Sequence, residues 1–170
     1  IQQLKITDLI YPIAVEMQDK IVTRVFDKGI DGNNSPIGKY STYPNYFTKE
    51  QFHNTGAFRG QGKTGKGKKK NGGERKSMYL IGGYKQLRQI QGDESGFVNL
   101  TYTTQLRKDF ATGLRIDGNT VVISLKQNIN SQKVDWLSDK YGEETFKHTK
   151  EERKFFSEET KKALIKYFNA

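Results

Sequence analysis

The sequence predicts an α+β fold: an N-terminal helix, long loops, a small antiparallel β-sheet with a hairpin, and a C-terminal helix. Three observations predict it. Apolar residues near the start recur every fourth position, the middle of the chain carries alternating and β-branched segments around a tight-turn signal, and the end opens with a helix-capping pattern. A chain of 170 residues is the size of one domain, so residues 1–170 are expected to form a single α+β domain with a flexible basic loop at 59–76.

The first helix is predicted over Thr7 to Phe26. Leu9, Ile13, Met17, Ile21 and Val25 form one stripe, with Ile10, Ala14 and Val22 beside it, while Glu16, Gln18, Asp19, Lys20 and Arg24 form the polar face. Thr7 or Asp8 is the expected cap, Pro12 is expected in a first turn, and Gly29 is the expected stop. From Gly29 to Pro44 the chain is rich in turn formers. Tyr40, Tyr43, Tyr46 and Phe47 sit in or just after this loop and are candidate subunit contacts; rings pinning a long loop to its own core are the alternative.

A short polar helix is expected at Thr48 to His53, and a longer one at Ser77 to Ile90, weakened by Gly82-Gly83. Phe97 to Tyr102 alternates and reads as a strand. Thr104 to Phe110 reads as one or two helical turns. Gly113–Ile116 and Thr120–Leu125 flank Asp117-Gly118-Asn119, a hairpin signal. Ser131 to Tyr141 reads as a helix ending at Gly142, with Trp136 either in a core or at a subunit contact. Thr149 and Glu152 form a capping box that opens a last helix reaching to about Phe168.

Between the helical and sheet-like segments lies the tract Arg59 to Lys76. It holds eight Lys or Arg against the single acid Glu74, and so carries +7 of the chain's +10 net charge. With no aliphatic or aromatic side chain, the tract cannot offset the entropy of ordering and is expected to be mobile. Arg59, Lys63, Lys66, Lys68, Lys69, Lys70, Arg75 and Lys76 are therefore candidate contacts to nucleic acid or to an acidic partner; a solvated loop is the alternative. The hydrophobic fraction is 34% and the mean hydropathy −0.81, a polar balance that fits either a chain that is disordered in part or one whose surface is completed by partners.

Enzymatic chemistry finds little footing. Gly60 to Gly67 nearly matches a phosphate-binding loop, but Gly67 stands where a hydroxyl must ligate magnesium. His53 and His148 are far apart and lack ligand-spaced carboxylates, so no metal or other cofactor is expected. Three of the four acidic pairs, Asp93-Glu94, Glu143-Glu144, Glu151-Glu152 and Glu158-Glu159, fall at turns and helix starts, where carboxylates suit the helix dipole. There are no cysteines, which excludes disulfides and thiolate sites in this chain. No apolar run approaches the roughly 20 residues that span a bilayer, and Lys5 and Asp8 interrupt the first residues, so neither a membrane segment nor a signal peptide is expected.

Several short patterns together resemble a known family. Arg24-Val25-Phe26-Asp27, Gly29, Asp31-Gly32 and Ser35-Pro36-Ile37-Gly38-Lys39-Tyr40-Ser41 resemble a helix followed by a D-x-x-G-x-P-x-x-x-x-S loop. Thr103 to Phe110 resembles a D-T-G-x-L-R-x-S-I element in which Thr104 replaces the glycine. The hairpin follows, then Lys140-Tyr141-Gly142 as an x-[FY]-G turn, with Phe146 alone left of a P-x-R-P-F segment. In this order the patterns are similar to the tailed-phage virion morphogenesis family, the tail-completion or neck proteins of the head–tail junction. The resemblance implies an α+β structural subunit without catalytic residues, forming a ring, expected as a hexamer, that contacts other neck, connector or tail-tube proteins and lets packaged DNA pass. It also implies a place in the virion, assembled in the cytoplasm of a bacterial host. The alternative reading is a nucleic-acid-binding module, indifferent to sequence, that uses the basic tract.

Overall fold

The computed structural model describes residues 6–58, 67–68, 74–75, 77–93, 96–101, 104–118 and 120–169. Its elements run in the order α1 (Ile6–Val22), a π-helical turn (Thr23–Asp27), β1 (Asn45–Thr48), β2 (Gly67–Lys68), β3 (Glu74–Arg75), β4 (Ser77–Leu80), α2 (Gly83–Ile90), α3 (Gln105–Ala111), β5 (Leu114–Asp117), β6 (Thr120–Ile123), α4 (Asn128–Tyr141) and α5 (Lys150–Phe168). The fold is α+β, with antiparallel two-stranded pairs β1–β4, β2–β3 and β5–β6, and the long C-terminal helix α5 packs on the N-terminal α1. The chain divides into two compact units, one of residues 1–38 with 97–170, the other of residues 39–96.

In the first unit, the apolar stripe that recurs every fourth residue becomes the core face. Ala14, Met17, Ile21, Val22, Val25 and Phe26 are buried, joined by Ile37, Val98 and Leu106. The ring of Phe26 meets those of Phe110 and Phe146 at 6.2 and 6.3 Å, and these two lie 6.4 Å apart, so three phenyl rings close a triangle under α1. Gly29 ends the helix in the left-handed conformation (φ 65°), and the Ile30 N–H reaches back to the Arg24 carbonyl at 3.0 Å. Two details differ from expectation. Helix α1 already includes Ile6, so Thr7 and Asp8 lie inside its first turn, and Pro12 sits in the second turn, where it has no N–H to give to the ladder.

Residues 97–101 are not a strand. Leu100 is left-handed (φ 52°), and the Asn99 side chain accepts the Thr101 N–H at 3.2 Å. That local Asx bond competes with a ladder, and it overrides the alternation. Its apolar content is used all the same, since Val98 is buried and the Phe97 ring lies against Gly29. The hairpin forms as read: Leu114, Arg115, Ile116 and Asp117 face Ile123, Val122, Val121 and Thr120. Helix α4 begins at Asn128, earlier than expected, and stops before Gly142 (φ 101°). Helix α5 opens on the expected box, with the Glu152 N–H donating to Thr149 Oγ1 at 3.0 Å and the Thr149 N–H to Glu152 Oε2 at 2.9 Å.

In the second unit, Phe47, Phe52, Leu80 and Leu87 form a small core, with Phe58, Met78, Tyr84 and Ile90 packed against it. The single helix expected from Ser77 to Ile90 is instead strand β4, a turn at Ile81-Gly82, and helix α2. Gly83, left-handed at φ 59°, breaks the run, and Ser77 to Leu80 pairs with β1. The expected helix at Thr48 to His53 is one 3₁₀ turn at Lys49–Gln51, with the Thr48 N–H donating to Gln51 Oε1 at 2.8 Å.

Candidate functional site

The first unit carries an open apolar cleft of about 530 Å³ beside strand β6. Its walls are Met17 of α1, Phe110 of α3, Val122 and Ile123 of β6, Phe146, and Phe156 of α5. His148 and Arg153, both exposed, share the lining and supply its polar groups. The cleft exists because a two-stranded hairpin is too narrow to cover the helices beneath it: Val121, Val122 and Ile123 are only half-buried, although they are the most apolar run of the sheet. Ile116 stays 48% exposed on β5. Among the described residues, β5 and β6 pair only with each other, so both outer edges present backbone donors and acceptors without a strand partner.

Two polar knots hold the elements around this cleft. Arg24 and Glu152 form a buried ion pair, Nε to Oε1 at 2.7 Å, and the guanidinium also donates to the carbonyls of Ile30 (3.0 Å) and Lys147 (2.8 Å). Asp109 accepts from the Asn130 side chain (2.9 Å) and from the N–H groups of Gln127 (3.1 Å) and Lys126 (3.2 Å), which ties α3 to the start of α4. Burial pushes the Asp109 carboxyl up, but the Asn130 amide, those two N–H groups and the Lys126 charge together hold it below the ordinary carboxylate value. Neither knot was foreseen, because each joins residues that are distant in sequence. The capping box at Thr149 was the one local signal that pointed to Glu152.

The expected contact residues fall in different environments. Trp136 lies on α4 and is 62% exposed. Tyr43 is 83% exposed in the second unit, and the Tyr46 ring meets that of Tyr79 across the β1–β4 pair at 4.8 Å and a tilt of 47°, both rings partly open to solvent. Tyr40 is half-buried, edge-on to Tyr84 at 5.5 Å and under the Arg88 guanidinium at 5.4 Å. Phe47 offers no surface: it is a core residue, because the β1–β4 register turns it inward with Leu87 and Phe52. Of the basic tract, Arg59, Lys63, Lys66, Lys69, Lys70 and Lys76 lie outside the described residues. The backbones of Lys68 and Arg75 fall in the β2–β3 pair, opposite Glu74 and Gly67. Of the near match to a phosphate-binding loop, Gly67 alone is described.

Among the described residues, no group of three His, Asp or Glu is placed to hold a metal ion, and no helix is long and apolar enough to cross a membrane. No protein-family model, curated protein or solved structure matches the chain.

Proposed function

We propose that this chain is a structural subunit of a tailed-phage virion, a ring-forming tail-completion or neck protein at the head–tail junction. The observation that carries the reading is Thr104. It stands where the family pattern has glycine, and its backbone is left-handed, φ 57°, the conformation glycine adopts without steric cost. The backbone at this position is thus one that a glycine would accommodate, although the residue is threonine. The order of helix, loop, L-R helix, hairpin, Y-G turn and final helix supports the same reading.

The physical features fit a building block. An apolar cleft, a hairpin with two open edges and an exposed tryptophan are surfaces that neighbouring copies would cover. The role is mechanical, with no catalytic step and no cofactor, in a virion assembled in the host cytoplasm. Sedimentation of the purified chain, alone and with tail or connector proteins, tests this. Growth to a discrete ring-sized mass with concentration is expected; a strict monomer under all these conditions overturns the reading.

A second reading rests on the charge of the basic tract: contact with nucleic acid through phosphates. Binding of duplex DNA should then fall steeply with salt and be indifferent to sequence. Replacing Lys66, Lys68, Lys69 and Lys70 with Ser should abolish that binding while leaving the oligomer mass unchanged.

A further inference from the structure

We infer that Tyr46 and Tyr79 form a stacking platform for the bases of a single-stranded nucleic acid, so that the unit of residues 39–96 prefers single strands to duplex. This rests on the charge reading of the basic tract and names a contact that charge alone does not supply.

The platform follows from the strand register. Tyr46 and Tyr79 are directly opposed across β1 and β4, and alternation sends Phe47 and Leu80 to the other face, into the small core. The two rings meet at 4.8 Å yet remain 45% and 38% exposed, so each keeps aromatic surface open to solvent. Bases stack on such rings without regard to sequence, because every base has a flat π face.

Charge selects the occupant. The unit holds twelve Lys or Arg against four acids, +8 of the chain's +10, while the longer first unit carries only +2. The four acids are Glu50, Glu74, Asp93 and Glu94, and none falls in 40–48 or 77–92, the segments that contain β1, β4 and α2. The charged residues of those segments are Lys85 and Arg88 alone. Asp93 is drawn to the buried Arg88 guanidinium and to His53, at 3.8 and 3.3 Å. Lys49, next to β1, and Lys85 are exposed, and among the described residues neither has an acidic partner within salt-bridge distance. Arg75 of β3 is four residues from Tyr79, which holds their Cα atoms within about 14 Å of each other. A phosphate chain attracted to the tract therefore brings its bases within reach of the rings.

Other anionic chains fit worse. The bases of a duplex are already stacked on one another, and an acidic peptide carries carboxylates without a flat ring at each residue. Charge alone favours the duplex, whose phosphates are denser. A preference for single strands therefore reports the rings.

The test uses the full chain and the fluorescence anisotropy of a labelled oligothymidylate and of a duplex of equal length, each at several salt concentrations. Tyr46→Leu and Tyr79→Leu keep an apolar contact between the strands and remove the aromatic face, whereas Tyr46→Phe with Tyr79→Phe retains it. An unchanged melting temperature verifies the fold of each variant. The wild-type chain is expected to bind the single strand about tenfold more tightly than the duplex. Each Leu variant is expected to lose about tenfold on the single strand, with duplex affinity and salt dependence unchanged, and the Phe variant to lose nothing. If both Leu variants bind the single strand as the wild type does, or if the duplex is bound more tightly, the platform is wrong and the charge reading stands. Polyglutamate that displaces the single strand as readily as unlabelled oligothymidylate does would assign the unit to an acidic protein and overturn the platform. If the wild-type chain binds neither nucleic acid even at low salt, the charge reading falls and takes the platform with it.

Discussion

Arg24 and Glu152 are separated by 128 residues and meet as a buried pair at 2.7 Å, each less than a tenth exposed at the side chain. The pair locks the end of the first helix to the start of the last one. The same carboxylate receives the Thr149 N–H, so a cap and an ion pair share one residue. Taking two charges out of water is costly, and the extra bonds to Ile30 and Lys147 are what make this site tolerable.

Removing one partner leaves the other charged and dry. Arg24→Ala is expected to destabilise the first unit by about 3–5 kcal/mol. Glu152→Ala loses the cap as well and should cost at least as much. The double variant should cost clearly less than the two singles combined, because no lone charge remains. Urea unfolding followed by Trp136 fluorescence measures all three; strict additivity would show that the two residues act independently.

Asp109 makes a pH prediction. Its folded pKa lies below the ordinary value, so its contribution to stability is present above the carboxyl pKa of the unfolded chain and is lost as pH falls through the folded one. The window lies below about pH 4. Asp109→Asn is expected to lower stability at neutral pH by about 1–3 kcal/mol, and to flatten the acid limb of the stability curve. Unfolding midpoints measured from pH 7 down to pH 2 test it, and an acid limb identical to wild type would refute it.

Thr104 is exposed and left-handed, so its side chain carries a steric cost without a packing return. Thr104→Gly should relieve a strain of about 1–2 kcal/mol, offset in part by the greater freedom of glycine in the unfolded chain. A net stabilisation of about 0.5–1 kcal/mol is expected in the same urea experiment. Destabilisation by the same amount would mean that the left-handed turn is not the native conformation.

Gly83 is the corresponding point in the second unit. A Cβ there would stand 2.2 Å from the Tyr43 carbonyl oxygen, and the backbone is at φ 59°. Gly83→Ala should destabilise this unit by more than about 2 kcal/mol, since backbone must move to make room. Hydrogen exchange read peptide by peptide is the measurement, with loss of protection expected in 45–48 and 77–90. Unchanged protection would rule out the close approach.

What could be read from the sequence was whatever is encoded within a few residues. The apolar stripe of α1, the stop at Gly29, the Asp117-Gly118 hairpin and the Thr149–Glu152 box are each complete within one or two turns of chain, and each appears in the fold. The pairing of β1 with β4 spans the whole basic tract, so Ser77 to Leu80 showed only an apolar spacing that a helix also satisfies. Residues 97–101 misled in the opposite way: their alternation was real, but Asn99 closes its own turn before a ladder can form. For the candidate site, Trp136 was legible as a residue to notice, whereas its exposure depends on how α4 packs. The cleft was invisible because its walls come from α1, α3, β6 and α5 together.

The π-helical turn at Thr23–Asp27 has a consequence for how this chain can vary in length. That wider turn, closed by the Lys28 N–H on the Thr23 carbonyl at 3.0 Å, lets Arg24, Val25 and Phe26 all face inward in succession. Deleting one residue there would restore ordinary winding, swing the guanidinium away from its carboxylate and rotate the phenyl triangle out of register. The first helix is thus a ruler that tolerates exchange of its outward side chains and rejects any change in its count.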